Sequence, residues 1–247
     1  NSIKLKSSIF SNNIATYMLY KAILYSTKTV KFEVENVTFI GNSVHSGCIY
    51  VKGSGTVADC TFIGNEMTTS NGRGSSIMLE DGSLVIQSSK FINNTDTGKY
   101  SSVIYASSGT VLIKDSILIN NTYENTNKLI INGGEAALKK LIANNNWWGN
   151  TPDNLTKPAL KVYPASNLLP NGWDPSAYWL VFNATSLNNG TELDKKVPVQ
   201  FTFTQIDNYG NITPYDAYYL PNFDLEVTAV NGTCDDSKVI VENGLAT

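Results

Sequence analysis

The stretch Thr61-Phe62-Ile63-Gly64-Asn65 repeats Thr38-Phe39-Ile40-Gly41-Asn42 almost letter for letter, and this recurrence limits the possible folds more than any other feature of the chain. The same logic returns in Ser8-Ile9-Phe10-Ser11-Asn12-Asn13, Lys90-Phe91-Ile92-Asn93-Asn94, Ile117-Leu118-Ile119-Asn120-Asn121 and Leu141-Ile142-Ala143-Asn144-Asn145. Aligned on the asparagine three places after the apolar anchor, the column reads Asn13, Asn42, Asn65, Asn94, Asn121 and Asn145, at intervals of 29, 23, 29, 27 and 24 residues. Periods of this size belong to stacked repeat architectures.

Each repeat divides into three strand-like pieces. An apolar strand precedes the anchor, as in Val30-Lys31-Phe32-Glu33-Val34 or Thr110-Val111-Leu112-Ile113, and places Val34, Val57, Ile86 and Ile113 in one column. Two places later stand Asn36, Asp59, Ser88 and Asp115, side chains that favour turns by bonding the nearby backbone. After the asparagine comes a variable segment and then a second apolar strand, such as Gly47–Val51 or Ser102–Ala106. One coil cannot bury its own inward face, whereas stacked coils make a continuous core. The pattern predicts an all-β chain, a right-handed parallel β-helix of about six coils over residues 1–150, spanning about 29 Å at the strand spacing. Phe39, Phe62 and Phe91 are expected to stack inside. The asparagines are expected to form a hydrogen-bonded ladder at a bend, where Asn also tolerates the left-handed conformation. The inserted segments Glu66–Arg73 and Thr95–Tyr100 fall on one side, where repeat proteins often place a binding surface.

The last coil of a solenoid needs a cap, and Trp147 and Trp148 suit that role; an aromatic platform for sugars is the competing reading. Prolines and glycines mark a connector over 151–176. From Ala177 the period changes to the alternation of half-buried antiparallel strands, as in Val197–Thr204 and Phe223–Ala229. Residues 177–247 therefore read as a small Ig-like β-sandwich, a truncated one short of its last strand being the alternative reading. The chain opens inside a repeat and stops beside strand-like sequence, as a piece of a longer protein would.

The Phe-x-x-Asn motif, with a degenerate Gly-Gly-Ala-Ile motif in Ser46-Gly47-Cys48-Ile49 and Gly74-Ser75-Ser76-Ile77, resembles the repeats of polymorphic outer-membrane proteins. An Asn-rich β-helix that ends in Asn146-Trp147-Trp148-Gly149 and runs into an Ig-like module resembles the large adhesin-like surface proteins of methanogenic archaea. The resemblance covers most of the chain, and the Trp-Trp-Gly junction is its most specific part. It implies a cell-surface adhesin, extracellular, with a β-helix that binds and an Ig-like stalk.

Charged residues make up only 16% of the chain, so the polar surface is built from Asn, Ser, Thr and Gly, and the net charge of -3 with a single arginine, Arg73, argues against nucleic acid as a partner. The three cysteines are too few for a disulfide scaffold. A Cys48–Cys60 bridge is allowed but not required, and two small buried residues in neighbouring strands are the plainer reading. A glycosidase needs two carboxylates about 5–9.5 Å apart. Asp59 and Asp115, two coils apart in one turn column, come near that at about 9–10 Å, yet a turn role explains both. Arg73 stands alone in a glycine-rich loop, and Glu80-Asp81 is an isolated acidic pair at a turn. His45, the one histidine, reads as a surface-loop residue with no partner cluster for a metal or a triad. No catalytic, cofactor-binding or metal-binding set emerges.

Asn-x-Ser/Thr triplets occur at Asn36, Asn93, Asn120, Asn154, Asn183, Asn189, Asn211 and Asn231. Asn93 and Asn120 lie beside the ladder and are expected to be hidden, with the tail sites more accessible. The leading expectation is a monomeric adhesin fragment that attaches to surface glycans or proteins of other cells, with Tyr100, Tyr105 and Tyr123 among the conceivable contacts. A carbohydrate-active β-helix enzyme and a purely structural envelope component are the alternatives.

Overall fold

The computed structural model describes residues 2–16, 21–98, 102–123, 130–132, 138–158, 160–161, 176–187, 196–228 and 233–246, and none of these is helical. Four parallel sheets run along one solenoid. The first stacks Ser2–Lys6, Lys31–Glu35, Ser54–Ala58, Ser83–Gln87, Gly109–Lys114 and Leu138–Ile142. The second holds the anchor strands Ile9–Ser11, Thr38–Ile40, Thr61–Ile63, Lys90–Ile92 and Ile117–Ile119. The third stacks Ile14–Ala15, Ser43–Val44, Glu66–Met67, Thr95–Asp96 and Thr122–Tyr123, and the fourth runs from Leu24–Ser26 through Ile49–Val51, Ile77–Leu79 and Ile104–Ala106 to Ile131–Asn132 and Leu160–Lys161.

Each coil thus has four strands where the sequence suggests three. The extra strand is the pair of residues after each ladder asparagine. Two residues are too few to show a period of two, so they read as the start of a loop. The fourth sheet also takes Leu160–Lys161 from the segment expected to be a connector.

Two bends per coil use the left-handed region. After the first strand, Ser7, Asn36, Asp59, Ser88, Asp115 and Asn145 have φ between 47° and 60°. Between the second and third strands, Asn12, Gly41, Gly64, Asn93 and Asn120 have φ between 54° and 62°. The ladder asparagines themselves are not among the left-handed residues, which corrects one reason for expecting them there. Their role is hydrogen bonding. Asn13, Asn42, Asn65 and Asn94 each donate from Nδ2 to the Oδ1 of the next rung's Asn at 2.8–3.0 Å, as far as Asn121. Their backbone N–H groups reach the same oxygens at 2.9–3.1 Å. Buried amides are costly unless paired, and this arrangement pairs them.

Asn145 does not belong to the ladder. Val111 and Leu112 pair with Leu141 and Ile142, so these residues extend the first sheet and not the anchor strand. The register brings Asn145 over Asp115, whose N–H donates to the Asn145 carbonyl at 3.1 Å. A shorter side-chain ladder lines this bend, with the N–H groups of Cys60, Ser89 and Ser116 donating to Ser89 Oγ, Ser116 Oγ and Asn146 Oδ1 at 3.0–3.2 Å.

Inside, Phe10, Phe39, Phe62 and Phe91 stack with centroids 5.3, 4.9 and 4.8 Å apart and planes within 11°. Cys48 and Cys60 are free thiols in the same core.

The tail has two antiparallel sheets. Tyr178–Ser186, Val199–Asp207 and Ile212–Pro214 form one, and Phe223–Glu226 pairs with Lys238–Val241 in the other. It continues from the solenoid with no break in hydrogen bonding. Trp147 bridges Ile117 on one side and Leu180 on the other, both in parallel sense. Leu180 N–H donates to Asn146 O and Phe182 N–H to Asn150 O, each at 3.0 Å. The two tryptophans point to opposite faces, as successive strand residues do. Trp148 packs on the solenoid core and against Trp179, Val181 and Ile206. Trp147 does not cap the coil as expected. It enters the core of the tail with Leu180, Phe182, Phe203 and Phe223.

Candidate binding surface

Part of the outer surface of the solenoid is occupied by the tail. Ile117 lies in the tail core, Lys90 Nζ donates to Asn222 O at 3.1 Å, and Tyr215 Oη donates to Asp115 Oδ1 at 2.6 Å. Asp115 is buried and also lies 3.4 Å from Lys114 Nζ. Asp59, by contrast, is exposed at a left-handed turn, and partial desolvation of its carboxyl, followed by the Glu35 charge, moves its pKa up. The two carboxylates therefore do not share an open cleft. Glu80 and Asp81 are likewise engaged: Tyr50 Oη donates to Glu80, Lys52 pairs with Glu80 at 3.2 Å, and Ser108 Oγ donates to Asp81 at 2.8 Å. Among the described residues no group of three or more His, Cys, Asp or Glu could hold a metal ion. No helix of these residues is long and apolar enough to cross a membrane.

The corner between the third and fourth sheets carries the length variation. Of the expected insertions, Glu66–Met67 and Thr95–Asp96 are strands, and the loops begin after them. Thr68, Ser70 and Asn71 are exposed. Beneath them the loops pack closely: a Cβ on Gly72 would lie 1.9 Å from Met67 Sδ and 2.8 Å from the His45 carbonyl. This stacking buries His45, expected on the surface, where Nδ1 contacts Ser46 Oγ at 2.9 Å and burial plus the Arg73 charge lower its pKa. The Arg73 guanidinium sits 5.2 Å from the ring centre of Tyr105, a cation–π distance, so that buried ring is no free platform. Tyr123 is half-buried with its hydroxyl enclosed, and Tyr100 lies outside the described residues. Among the described residues the most exposed aromatics are on the tail, led by Tyr209 at 91% and the edge-to-face pair Tyr218 and Tyr219, while the solenoid exposes Tyr25, stacked on Tyr50.

The Asn-x-Thr triplets also sort differently from expectation. Asn93 and Asn120 are exposed tips of the left-handed bend, not hidden, because the left-handed φ turns them away from the ladder. Asn183 is half-buried, its amide donating to Val181 O and Thr204 Oγ1. Asn36, Asn154 and Asn211 are exposed, and Asn189 and Asn231 lie outside the described residues.

One residue the sequence reading passed over is Asp96. It holds the inward position of the third sheet, in register with Val44, Met67 and Tyr123, and is fully buried. Its Oδ1 and Oδ2 accept the N–H groups of Gly98 and Ser102 at 2.9 Å. Burial pushes the carboxyl up to about 7, against backbone N–H bonds from Ser102, Gly98 and Gly74 that pull it down. The signal was its place two residues after a ladder asparagine, where the other rungs carry apolar side chains.

The raised pKa sets a pH dependence. Between about pH 4 and 7 the folded state keeps a proton that the unfolded chain has lost, so stability is greatest below this window and falls as pH rises through it. At about 1.4 kcal/mol per unit the loss is a few kcal/mol. His45, with a lowered pKa, slopes the other way below its ordinary value. The test is therefore the difference between wild type and Asp96→Asn in urea midpoint from pH 4.5 to 7.5. A difference that does not change with pH refutes the assignment.

No protein-family model, no curated protein and no solved structure matches the chain.

Proposed function

We propose that the chain is a cell-surface adhesive rod, extracellular and monomeric, that attaches to glycans or proteins of neighbouring cells through its solenoid, with the antiparallel tail as spacer. The observation that carries this reading is the division of the solenoid surface. The tail covers Ile117 and engages Asp115, whereas the corner where the repeats vary in length presents Thr68, Ser70 and Asn71 to solvent on a tightly packed base. Small polar side chains on a rigid support offer adaptable hydrogen bonds at little ordering cost. The engaged state of Asp115, Glu80 and Asp81 supports binding over turnover.

The experiment is a glycan array and whole-cell binding screen on the chain, with product analysis on any polysaccharide retained. Saturable binding without product is expected, weakened by Asn71→Lys and unaffected by Asp59→Asn. Cleaved polysaccharide, or no saturable binding to any cell or glycan, overturns the proposal.

A further inference from the structure

The buried Asp96 and the exposed loop of the preceding coil belong to one assembly. The carbonyls of Thr69 and Gly72, on either side of the tip Ser70 and Asn71, both face Gly98 of the next coil. A Cβ on Gly98 would lie 3.0 Å from each carbonyl oxygen. Further bonds tie the loop down around the tip. The N–H and Oγ1 of Thr97 donate to Met67 O at 3.0 and 3.2 Å, and Gly72 N–H donates to Thr69 O at 2.9 Å. Gly98 is therefore a floor under the tip, and it fits there because it has no side chain.

Asp96 holds that floor. Its Oδ1 takes the Gly98 N–H and its Oδ2 the Ser102 N–H, both at 2.9 Å. The carboxyl also accepts the N–H of Gly74, which follows the exposed loop in the preceding coil. A single side chain thus fixes the floor and the far end of the loop above it. In the same column Val44 and Met67 fill the core with apolar side chains. A buried carboxyl is costlier there than either, so packing of the column does not account for Asp96. The fixed loop N–H groups do.

We propose that Asp96 is the positioning residue of the binding corner, acting through Gly98 to hold the tip from Thr68 to Asn71 in one shape. The assignment rests on this corner being the binding surface. An ordered tip loses less conformational freedom on contact, so affinity depends on a fully buried residue that makes no contact with the ligand.

The test compares Asp96→Asn, Gly98→Ala and Val57→Ala. Asparagine has a single acceptor oxygen, so a loop N–H loses its partner. Alanine at position 98 leaves the carboxyl in place and presses on the Thr69 and Gly72 carbonyls from below. Val57→Ala truncates the solenoid core in the first sheet, away from the corner. In the first two variants, amide exchange at Gly72 is expected to speed up by about tenfold more than at Asn65. Half-saturation on the glycan array and on whole cells should rise by about tenfold as well, at a temperature where every variant is folded. Val57→Ala should lower the melting temperature and leave both readouts unchanged. If Asp96→Asn does not fold, Gly98→Ala carries the comparison. Gly72 exchange no faster than that of Asn65, or an affinity that follows melting temperature across all three variants, overturns the proposal. A parent chain that binds no cell or glycan refutes the binding reading instead, and Gly72 exchange then decides by itself whether Asp96 positions the tip.

Discussion

Trp147→Ala is expected to cost about 3–5 kcal/mol, the usual range for truncating a buried aromatic, and to separate the unfolding of the tail from that of the solenoid. The ring of Trp147 lies 5.3, 5.5 and 5.2 Å from those of Phe182, Phe203 and Phe223, and Nε1 donates to Asn150 O at 2.9 Å. Truncation empties the centre of the tail core while leaving the backbone bridges to Ile117 and Leu180. The solenoid interior does not contain this ring, so its amides should keep their protection while those of Val199–Asp207 exchange at a lower urea concentration. Trp148→Ala should do the reverse, loosening the last coils first, because Trp148 packs on the solenoid core. Urea unfolding followed by amide exchange distinguishes these outcomes. A single concerted transition for Trp147→Ala with a loss below about 1 kcal/mol would contradict a cavity of this size.

The solenoid was legible because stacking repeats its constraints. Phe39, Phe62 and Phe91 occupy one environment three times, so the same residue recurs there. The turn column Asn36, Asp59, Ser88 and Asp115 was legible for the same reason, since each rung needs a left-handed residue at that bend. What did not repeat was misread. Leu141-Ile142-Ala143-Asn144-Asn145 imitates an anchor motif, but the chain between Asn121 and Leu141 has no aromatic anchor to fix the frame, and pairing places it one strand earlier. Asp96 breaks the apolar pattern of its column, so a residue of the core reads in sequence as part of a loop. Trp147 and Trp148 were recognised as terminal, but adjacent residues on a strand face opposite ways, and only the position of the tail assigns one to each core. The binding surface was less legible still. The exposure of Thr68 and Asn71 and the burial of His45 and Tyr105 depend on how neighbouring loops stack, and no single repeat carries that information.

Asn65→Leu should be the most damaging replacement in the ladder, with a loss of about 2–6 kcal/mol from two orphaned buried donors at about 1–3 kcal/mol each. Leucine shares asparagine's branching, but its methyl groups need about 3.5 Å or more where the amide atoms sit 2.8–3.1 Å from their partners, so a close-contact cost adds to the lost hydrogen bonds. Asn65 Oδ1 accepts Asn42 N–H at 3.1 Å and Asn42 Nδ2 at 2.8 Å, and its own Nδ2 donates to Phe39 O and Asn94 Oδ1, both at 3.0 Å. The substitution leaves the Asn42 N–H and one Asn42 amide hydrogen without partners where Asn42 and Asn65 are fully buried, while the Phe39 carbonyl keeps its place in the parallel ladder with Thr61–Ile63. Asn94 Oδ1 keeps the backbone N–H of residue 65 and loses less. The same change at Asn13 should cost far less, because that residue is exposed and gives up one side-chain bond. Chemical denaturation of the two variants measures the gradient directly. Equal losses at positions 13 and 65 would mean that the amides act one by one at the surface, and that the buried, directional ladder does not hold the coils in register.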